Sequence, residues 1–317
     1  MVEGQHSDVN DQWDLDDSEA VDIVVVGSAN LDTVVPVPRQ PRAGETILGG
    51  DHSLVPGGKG ANQAVAAARL GRRTSFVGRV GDDSAGVRLR RGLEQANVNV
   101  DHLRTTEATP SGIALITVTP DGDNSIVVSP GANNHVSAAD MEPAKNMLES
   151  ASVLLVQHEI PAEAVHAAVL AAWGQVILNP APARPLPPEV LEAIDVLVPN
   201  QTELAELAGE AVPTTPQEAA ALVRKLGLAT VVVTLGSRGA LVIDGGSVEH
   251  VPAPSIIPID TTAAGDAFCA ALADGLAQGE DLLAATQWAV RVGAVTCLRA
   301  GAQPSLPTAA EVQELIS

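Results

Sequence analysis

Asp266 follows Ala263, Ala264 and Gly265 in the run Asp260-Thr261-Thr262-Ala263-Ala264-Gly265-Asp266-Ala267-Phe268, which leads into a helical stretch over 268–277. Small residues at a helix start let a ligand approach the backbone, where unpaired N–H groups and the helix dipole favour an anion. A carboxylate beside such an anion hole suits transfer of a phosphoryl group to a hydroxyl. The amides hold the phosphate while the carboxylate takes the hydroxyl proton. The same aspartate equally suits a plainer task, complementing the dipole in a first helical turn.

A second glycine-rich turn, Gly57-Gly58-Lys59-Gly60-Ala61-Asn62-Gln63, also opens a helix. It is not a P-loop, because Gly60 stands where that motif needs Ser or Thr after the lysine. What remains is a loop of backbone donors with Lys59 and Asn62, suited either to sugar hydroxyls or simply to a tight strand–helix connection. Three further stretches follow strand candidates at their carboxyl ends, where open α/β sheets place ligands. They are Gly27-Ser28-Ala29-Asn30-Leu31-Asp32, Pro199-Asn200-Gln201-Thr202-Glu203 and Thr234-Leu235-Gly236-Ser237-Arg238-Gly239. Asn200 also reads as a helix N-cap, with Glu203 completing a box-like pattern.

These loops need a scaffold, and the chain supplies an alternating one. Apolar runs at 22–26, 74–77, 151–156, 175–178, 195–198 and 230–234 read as buried strands. Helical stretches lie at 60–70, 84–95, 162–172, 201–208 and 216–226. Such alternation predicts an α/β fold, a mostly parallel central sheet with helices on both faces. Two segments break the pattern. Residues 33–55 carry short extended pieces with Pro36, Pro38 and Pro41, and 111–128 reads as a hairpin around Asp121-Gly122-Asp123. Together they predict a small β-sheet lid beside one domain spanning 22–317. Residues 1–21 are polar and acidic without periodicity and read as a flexible tail.

Of the 317 residues, 45% are apolar but only 2% aromatic, so the core must be built from Ala, Val, Leu and Ile. A formal charge of −21 disfavours nucleic acid and anionic membranes as partners. Cys269 and Cys297 are the two cysteines; they read as buried thiols, and no C-x-x-C pair suggests zinc. No apolar run approaches a membrane span, and no signal-peptide pattern opens the chain, so the cytoplasm is the expected location. No G-x-G-x-x-G follows the first strand, which argues against a dinucleotide-dependent dehydrogenase.

Across about 22–317 the sequence resembles the ribokinase-like carbohydrate kinase family. GSANLD at 27–32, GGKGANQA at 57–64, NPAPAR at 179–184, TLGSRG at 234–239, DTTAAGD at 260–266 and GAQPS at 301–305 carry the resemblance. GGKGANQA with NPAPA and GAQPS points to the ribokinase branch. The resemblance implies ATP-dependent phosphorylation of D-ribose at its 5-hydroxyl, with Asp266 as general base and Ala263, Ala264 and Gly265 as anion hole. It implies a sugar site from Asn30, Leu31, Asp32, Gly58, Lys59, Gly60, Ala61, Asn62 and Glu159, together with Asp266. Asn200 and Glu203 would organise Mg²⁺ near the ATP phosphates. Thr234, Leu235, Gly236, Ser237, Arg238, Gly239 and Gly265 would line the nucleotide. Where relatives often place His or Asn against the adenine, this chain has Val290, which keeps an apolar contact and lacks a hydrogen bond. An activating K⁺ would take Asp260, Thr262, Thr296, Arg299, Gly301 and Ser305, several through backbone carbonyls. Relatives imply a homodimer through the lid. The alternatives are a kinase of a related sugar such as 2-deoxyribose, or a catalytically idle sugar sensor; the intact Asp266 beside the intact Ala-Ala-Gly run argues against the sensor.

Overall fold

The computed structural model describes residues 21–316; the acidic segment expected as a flexible tail therefore lies, but for Val21, outside the described residues. The first half of the chain runs β1 (Ile23–Val26), β2 (Asn30–Pro36), β3 (Ser53–Gly57), α1 (Lys59–Arg69), β4 (Thr74–Gly81), α2 (Ser84–Gln95), β5 (Val98–Asn99), β6 (Leu103–Thr106), β7 (Gly112–Val118) and β8 (Asn124–Ser129). Then come α3 (Lys145–Ser150), β9 (Val153–Gln157), α4 (Ala162–Ala171), β10 (Gln175–Asn179), α5 (Pro188–Ala193), β11 (Val196–Leu197), α6 (Gln201–Ala208) and α7 (Pro216–Lys225). The chain closes with β12 (Thr230–Thr234), β13 (Ala240–Asp244), β14 (Ser247–Val251), α8 (Ala264–Ala277), α9 (Leu282–Thr296) and α10 (Ala309–Leu315).

The main sheet has the order β14-β13-β12-β11-β10-β9-β1-β4-β5, with β6 also pairing β4. Every pairing from β12 to β5 is parallel, while β13 and β14 add antiparallel to that edge. The uninterrupted apolar strands follow from burial on both faces. Alternation then splits each strand between two cores. Ile23, Val25, Val153, Leu155 and Ile177 join the core under α1, α8 and α9. Val24, Val26, Leu154, Val156 and Leu178 join the core under α3 to α7. With two Phe in the chain, closeness replaces bulk: Ala270, Ala271, Ala285 and Ala289 are fully buried where α8 and α9 meet.

Most expected elements appear within a residue or two of their anticipated bounds, and α2, α6 and β12 match at both ends. Two differ. Helix α8 begins at Ala264 rather than 268, because Ala263 takes a left-handed conformation (φ 60°) and turns the chain into the helix there. The β13–β14 hairpin was not anticipated; its second strand is mostly exposed and lacks the continuous apolar run that marked the others.

The small sheet is real and separate, in the order β3-β2-β7-β8. Strand β2 pairs antiparallel with β3 and parallel with β7, and β7 and β8 form the expected hairpin. It springs directly from the site edge: only Gly27, Ser28 and Ala29 separate β1 from β2.

Candidate active site

Parallel strands put all their carboxyl ends at one edge of the sheet, and the loops singled out above converge there. Gly27–Asn30 follows β1, His158 and Glu159 follow β9, Asn200 follows β11, and Thr234 ends β12. The start of α1 packs against the end of β1 so closely that a Cβ on Gly60 would lie 2.7 Å from the Ser28 nitrogen. This close approach explains the glycine at 60 and brings Lys59 and Asn62 over the strand ends.

Asp266 sits in the first turn of α8 and is buried. Its Oδ2 accepts a hydrogen bond from Asn62 Nδ2 at 2.9 Å, and its Oδ1 accepts one from Gln63 Nε2 at 3.1 Å. Burial pushes its carboxyl above the usual carboxylate range, against the opposing pull of the Lys59 ammonium and these two amides. For Lys59 the balance is reversed. Burial disfavours its charge, but Asp266, Glu159 and Glu203 outweigh that and hold the ammonium above its ordinary value. Glu159 Oε2 in turn accepts from the Lys59 backbone N–H at 3.0 Å and the Ser28 hydroxyl at 2.6 Å.

Asp32, on β2, is different. Burial, with Glu159 and Asp266 nearby, raises its carboxyl to about 7. Its Oδ1 is buried and meets no hydrogen-bond partner among the described residues, and the same is true of Asn62 Oδ1. Gly57 backs the carboxylate: a Cβ there would lie 2.1 Å from Asp32 Oδ2. Buried acceptors without donors are costly, so each calls for a donor from a water or a ligand. Asp32 opens onto a cleft of about 1020 Å³ between the small sheet and the segment 258–262.

A second cavity, about 510 Å³, is lined by Thr234, Gly236, Ser237, Gly239, Ala264, Gly265 and Val290, together with Asn200. The residues expected at a nucleotide thus share one wall with the expected anion hole. The two cavities meet at Pro258 and Thr261, just ahead of α8. Leu235 and Arg238 instead line a neighbouring hollow beside Gln201 and His250, and the Arg238 guanidinium donates to Gln201. Asn200 and Glu203 form a reciprocal capping box at the start of α6, each bond 2.8 Å long. One Glu203 oxygen is used in this way, and burial raises its carboxyl.

Of the six expected cation residues, three are joined directly. Asp260 Oδ1 accepts from the Thr262 N–H (2.9 Å) and hydroxyl (2.7 Å), and Asp260 Oδ2 accepts from the Gly301 N–H at 2.8 Å. The Thr296 and Ser305 hydroxyls are turned to the carbonyls of Val292 and Ala302, and the Arg299 guanidinium to Glu311. Arg299 therefore has only its backbone carbonyl to offer, while Thr296 and Ser305 keep hydroxyl lone pairs beside their carbonyls.

The sequence reading missed Asn133, which is buried and anchors the sugar-side loop. Its Oδ1 accepts from the Ala29 N–H at 2.9 Å, and its Nδ2 donates to Asn30 Oδ1 at 2.7 Å. It also missed Ser255, Ile256, Phe268 and Gly293 on the nucleotide-side cavity. Neither group stands in a glycine-rich turn at a strand end, the signal that exposed the others.

Comparison with known proteins is consistent across the chain. The family model described as "pfkB family carbohydrate kinase" matches residues 20–309. A ribokinase from Bacillus subtilis is 42% identical over 298 residues, covering 93% of this chain and 99% of the relative. A deoxyribokinase from Salmonella typhi is 36% identical over 306 residues, 94% of this chain and 99% of the relative. The structure of Arabidopsis thaliana ribokinase complexed with ribose and ATP superposes with a TM-score of 0.86 at 35% identity, covering 93% of this chain and 98% of that one.

Proposed function

We propose that this chain, which belongs to the pfkB family of carbohydrate kinases, transfers the γ-phosphoryl group of ATP to the 5-hydroxyl of D-ribose. The observation that carries this reading is the succession of groups from the small sheet to the start of α8. An orphaned carboxylate, Asp32, lies at one end, the buried Asp266 stands in the first turn of α8, and Ala264 and Gly265 line the nucleotide-sized cavity beyond. The full-length similarity to ribokinases supports the choice of sugar.

Ribose lies in the cleft beneath the small sheet, its hydroxyls donating to Asp32 Oδ1 and Asn62 Oδ1. Asp32 is the expected sugar residue that lines this cleft; Lys59 and Glu159, joined to each other, are proposed to surround the sugar together with Asn30, Leu31, Gly58, Gly60 and Ala61. Asp266 accepts the proton of the 5-hydroxyl as that oxygen attacks the γ-phosphate. A carboxyl raised by burial is better matched to this task than an ordinary one. The amides of the run Ala263, Ala264 and Gly265, at a helix start, take up charge on the transferring group; that of Ala264 also donates to the Thr261 carbonyl at 3.3 Å.

Asn200 and the remaining oxygen of the half-buried Glu203 would hold the hydration shell of an ATP-bound Mg²⁺, which would supply charge neutralisation at the phosphates. K⁺ is proposed at the loop 260–262 with 296–305, held largely through backbone carbonyls. Bound there, K⁺ would steady the anion-hole loop without touching substrate. The small sheet serves as lid, and its outer face, with Leu54, Leu115 and Val127 exposed, serves a homodimer. A cytoplasmic setting, where ATP is plentiful, belongs to this proposal, and no helix among the described residues is long and apolar enough to cross a membrane.

The test is ADP release from ATP with ribose, 2-deoxyribose, fructose or adenosine, with Mg²⁺, in K⁺ and then Na⁺ buffer. Ribose-dependent release favouring K⁺ is expected. The similarity to a deoxyribokinase favours 2-deoxyribose as the second reading. Preference for it would move the specificity while leaving Asp266 its role, and release with no sugar at all would overturn the kinase reading.

A further inference from the structure

Asp266 does not find its orientation from α8 alone. Its Oδ1 accepts from Gln63 Nε2 at 3.1 Å, and the same nitrogen approaches Asn179 Oδ1 at 3.4 Å. Asn179 Nδ2 donates to the backbone carbonyl of Val198 at 2.9 Å. Behind them, Gln157 Nε2 donates to Gln63 Oε1. All three amides are buried at the carboxyl end of the main sheet, Asn179 ending β10 and Gln157 ending β9.

A side-chain amide can present either its oxygen or its nitrogen, and its direction must be inferred from its partners. Here the direction has an unambiguous origin. The Val198 carbonyl can only accept, so Asn179 must turn Nδ2 toward it and Oδ1 toward Gln63. Gln63 must then turn Nε2 toward both Asn179 and Asp266, leaving its oxygen for Gln157. Apolar side chains would fill this space at less desolvation cost. Gln157 is fitted closely as well, since a Cβ on Gly27 would lie 2.1 Å from its Oε1.

We propose that Gln63 and Asn179 are positioning residues for phosphoryl transfer, forming a one-way chain of amides from the Val198 carbonyl that holds Asp266 as an oriented acceptor. Asn62 holds the other carboxylate oxygen at 2.9 Å. Each carboxylate oxygen has two lone-pair sites, so the chain leaves room for the substrate hydroxyl. The charged and titratable groups facing Asp266 are Lys59 from α1, Glu159 beyond β9, Asp32 from β2 and Cys269 from α8 itself. Gln63 acts in the same direction as Lys59, favouring the ionised carboxylate against burial. This inference rests on the kinase reading and on Asp266 as the base.

The measurement is the pH dependence of kcat for the full chain, with ribose KM and a folding check by circular dichroism. Replacing Gln63→Met keeps the length and removes the donor. Losing a hydrogen bond to a charged acceptor should move the acid limb of kcat upward by about one pH unit. Turnover at pH 7 should fall about tenfold, while ribose KM stays within about threefold. Gln63→Glu keeps the shape and the bond from Gln157 but sets an oxygen against Asp266 Oδ1, so its limb should move further. If Gln63→Met does not fold, Gln63→Glu decides the matter. A folded variant with a wild-type acid limb would overturn the amide chain, since a purely structural role lowers melting temperature without moving the limb. Asp266→Asn run alongside separates the layers. Full turnover in that variant overturns the base assignment and this inference with it. A dead Asp266→Asn beside an unshifted Gln63→Glu overturns the amide chain alone.

Discussion

Asp266 and Asp32 are both buried carboxylates, close enough to act on each other's charge, yet they are built in opposite ways. Asp266 stands on a long helix packed against α1 and α9, with an amide donor on each oxygen. Asp32 stands on the small sheet, where its buried Oδ1 has no partner among the described residues. The first carboxylate is organised by the protein itself; the second is an acceptor still open to a donor. The difference suits the division of labour proposed above. A proton acceptor must be placed to within fractions of an ångström, whereas a sugar clamp can draw its order from the sugar.

This contrast can be broken by experiment. The largest effect should come from Asp266→Asn, which keeps shape and removes the base. Turnover should fall by roughly 10²–10⁴-fold while ribose affinity, measured by calorimetry, changes little. An equal loss in ribose binding would mean that Asp266 is a clamp like Asp32.

Asp32→Asn should do the reverse. Hydrogen bonds to a charged acceptor are lost, so ribose KM should rise roughly 10–100-fold with a smaller change in kcat. The ligand-free protein should melt at a higher temperature, because an unpaired buried charge has been removed. A lower melting temperature would show that Asp32 has a structural partner after all.

Acidity offers a third and gentler lever. The Asp32 carboxyl is raised from 3.8 to about 7, so the folded protein binds a proton there that the unfolded chain releases. The stability this contributes is full below the unfolded value and is lost as pH rises through 7. Ribose affinity should run the other way, improving between pH 6 and 8 as the acceptor ionises. Asp32→Asn should flatten both trends; a persistent slope would assign them to another group.

The smallest effect on turnover is expected on the outer face of the small sheet. Leu115→Ser with Val127→Ser should leave kcat within about twofold, since exposed substitutions rarely disturb a fold. The same pair should weaken self-association in sedimentation, and an unchanged monomer–dimer equilibrium would place any interface elsewhere.

Much of this was legible in the chain. Continuous apolar runs announced the parallel strands, and Gly27, Gly58 and Gly265 marked the turns at the end of β1 and at the starts of α1 and α8. The hairpin at 111–128 was legible because Asp121-Gly122-Asp123 separates two β-prone runs. The start of α8 was not, because the left-handed turn at Ala263 carries no glycine to announce it. Nor was β14, which lies at a sheet edge and is mostly exposed.

Local sequence, then, determined the elements, their faces and the glycine-rich turns, because hydrophobic period and backbone freedom act over a few residues. Which side chains meet was decided only by the tertiary fold. Asn133 lies more than a hundred residues from Asn30, and Gln63 lies even further from Asp266, so neither pairing leaves a local trace. The direction of the amide chain is more remote still, since it depends on one backbone carbonyl at Val198. Hydrogen-bond polarity belongs to the assembled network, and no single residue in the chain carries it.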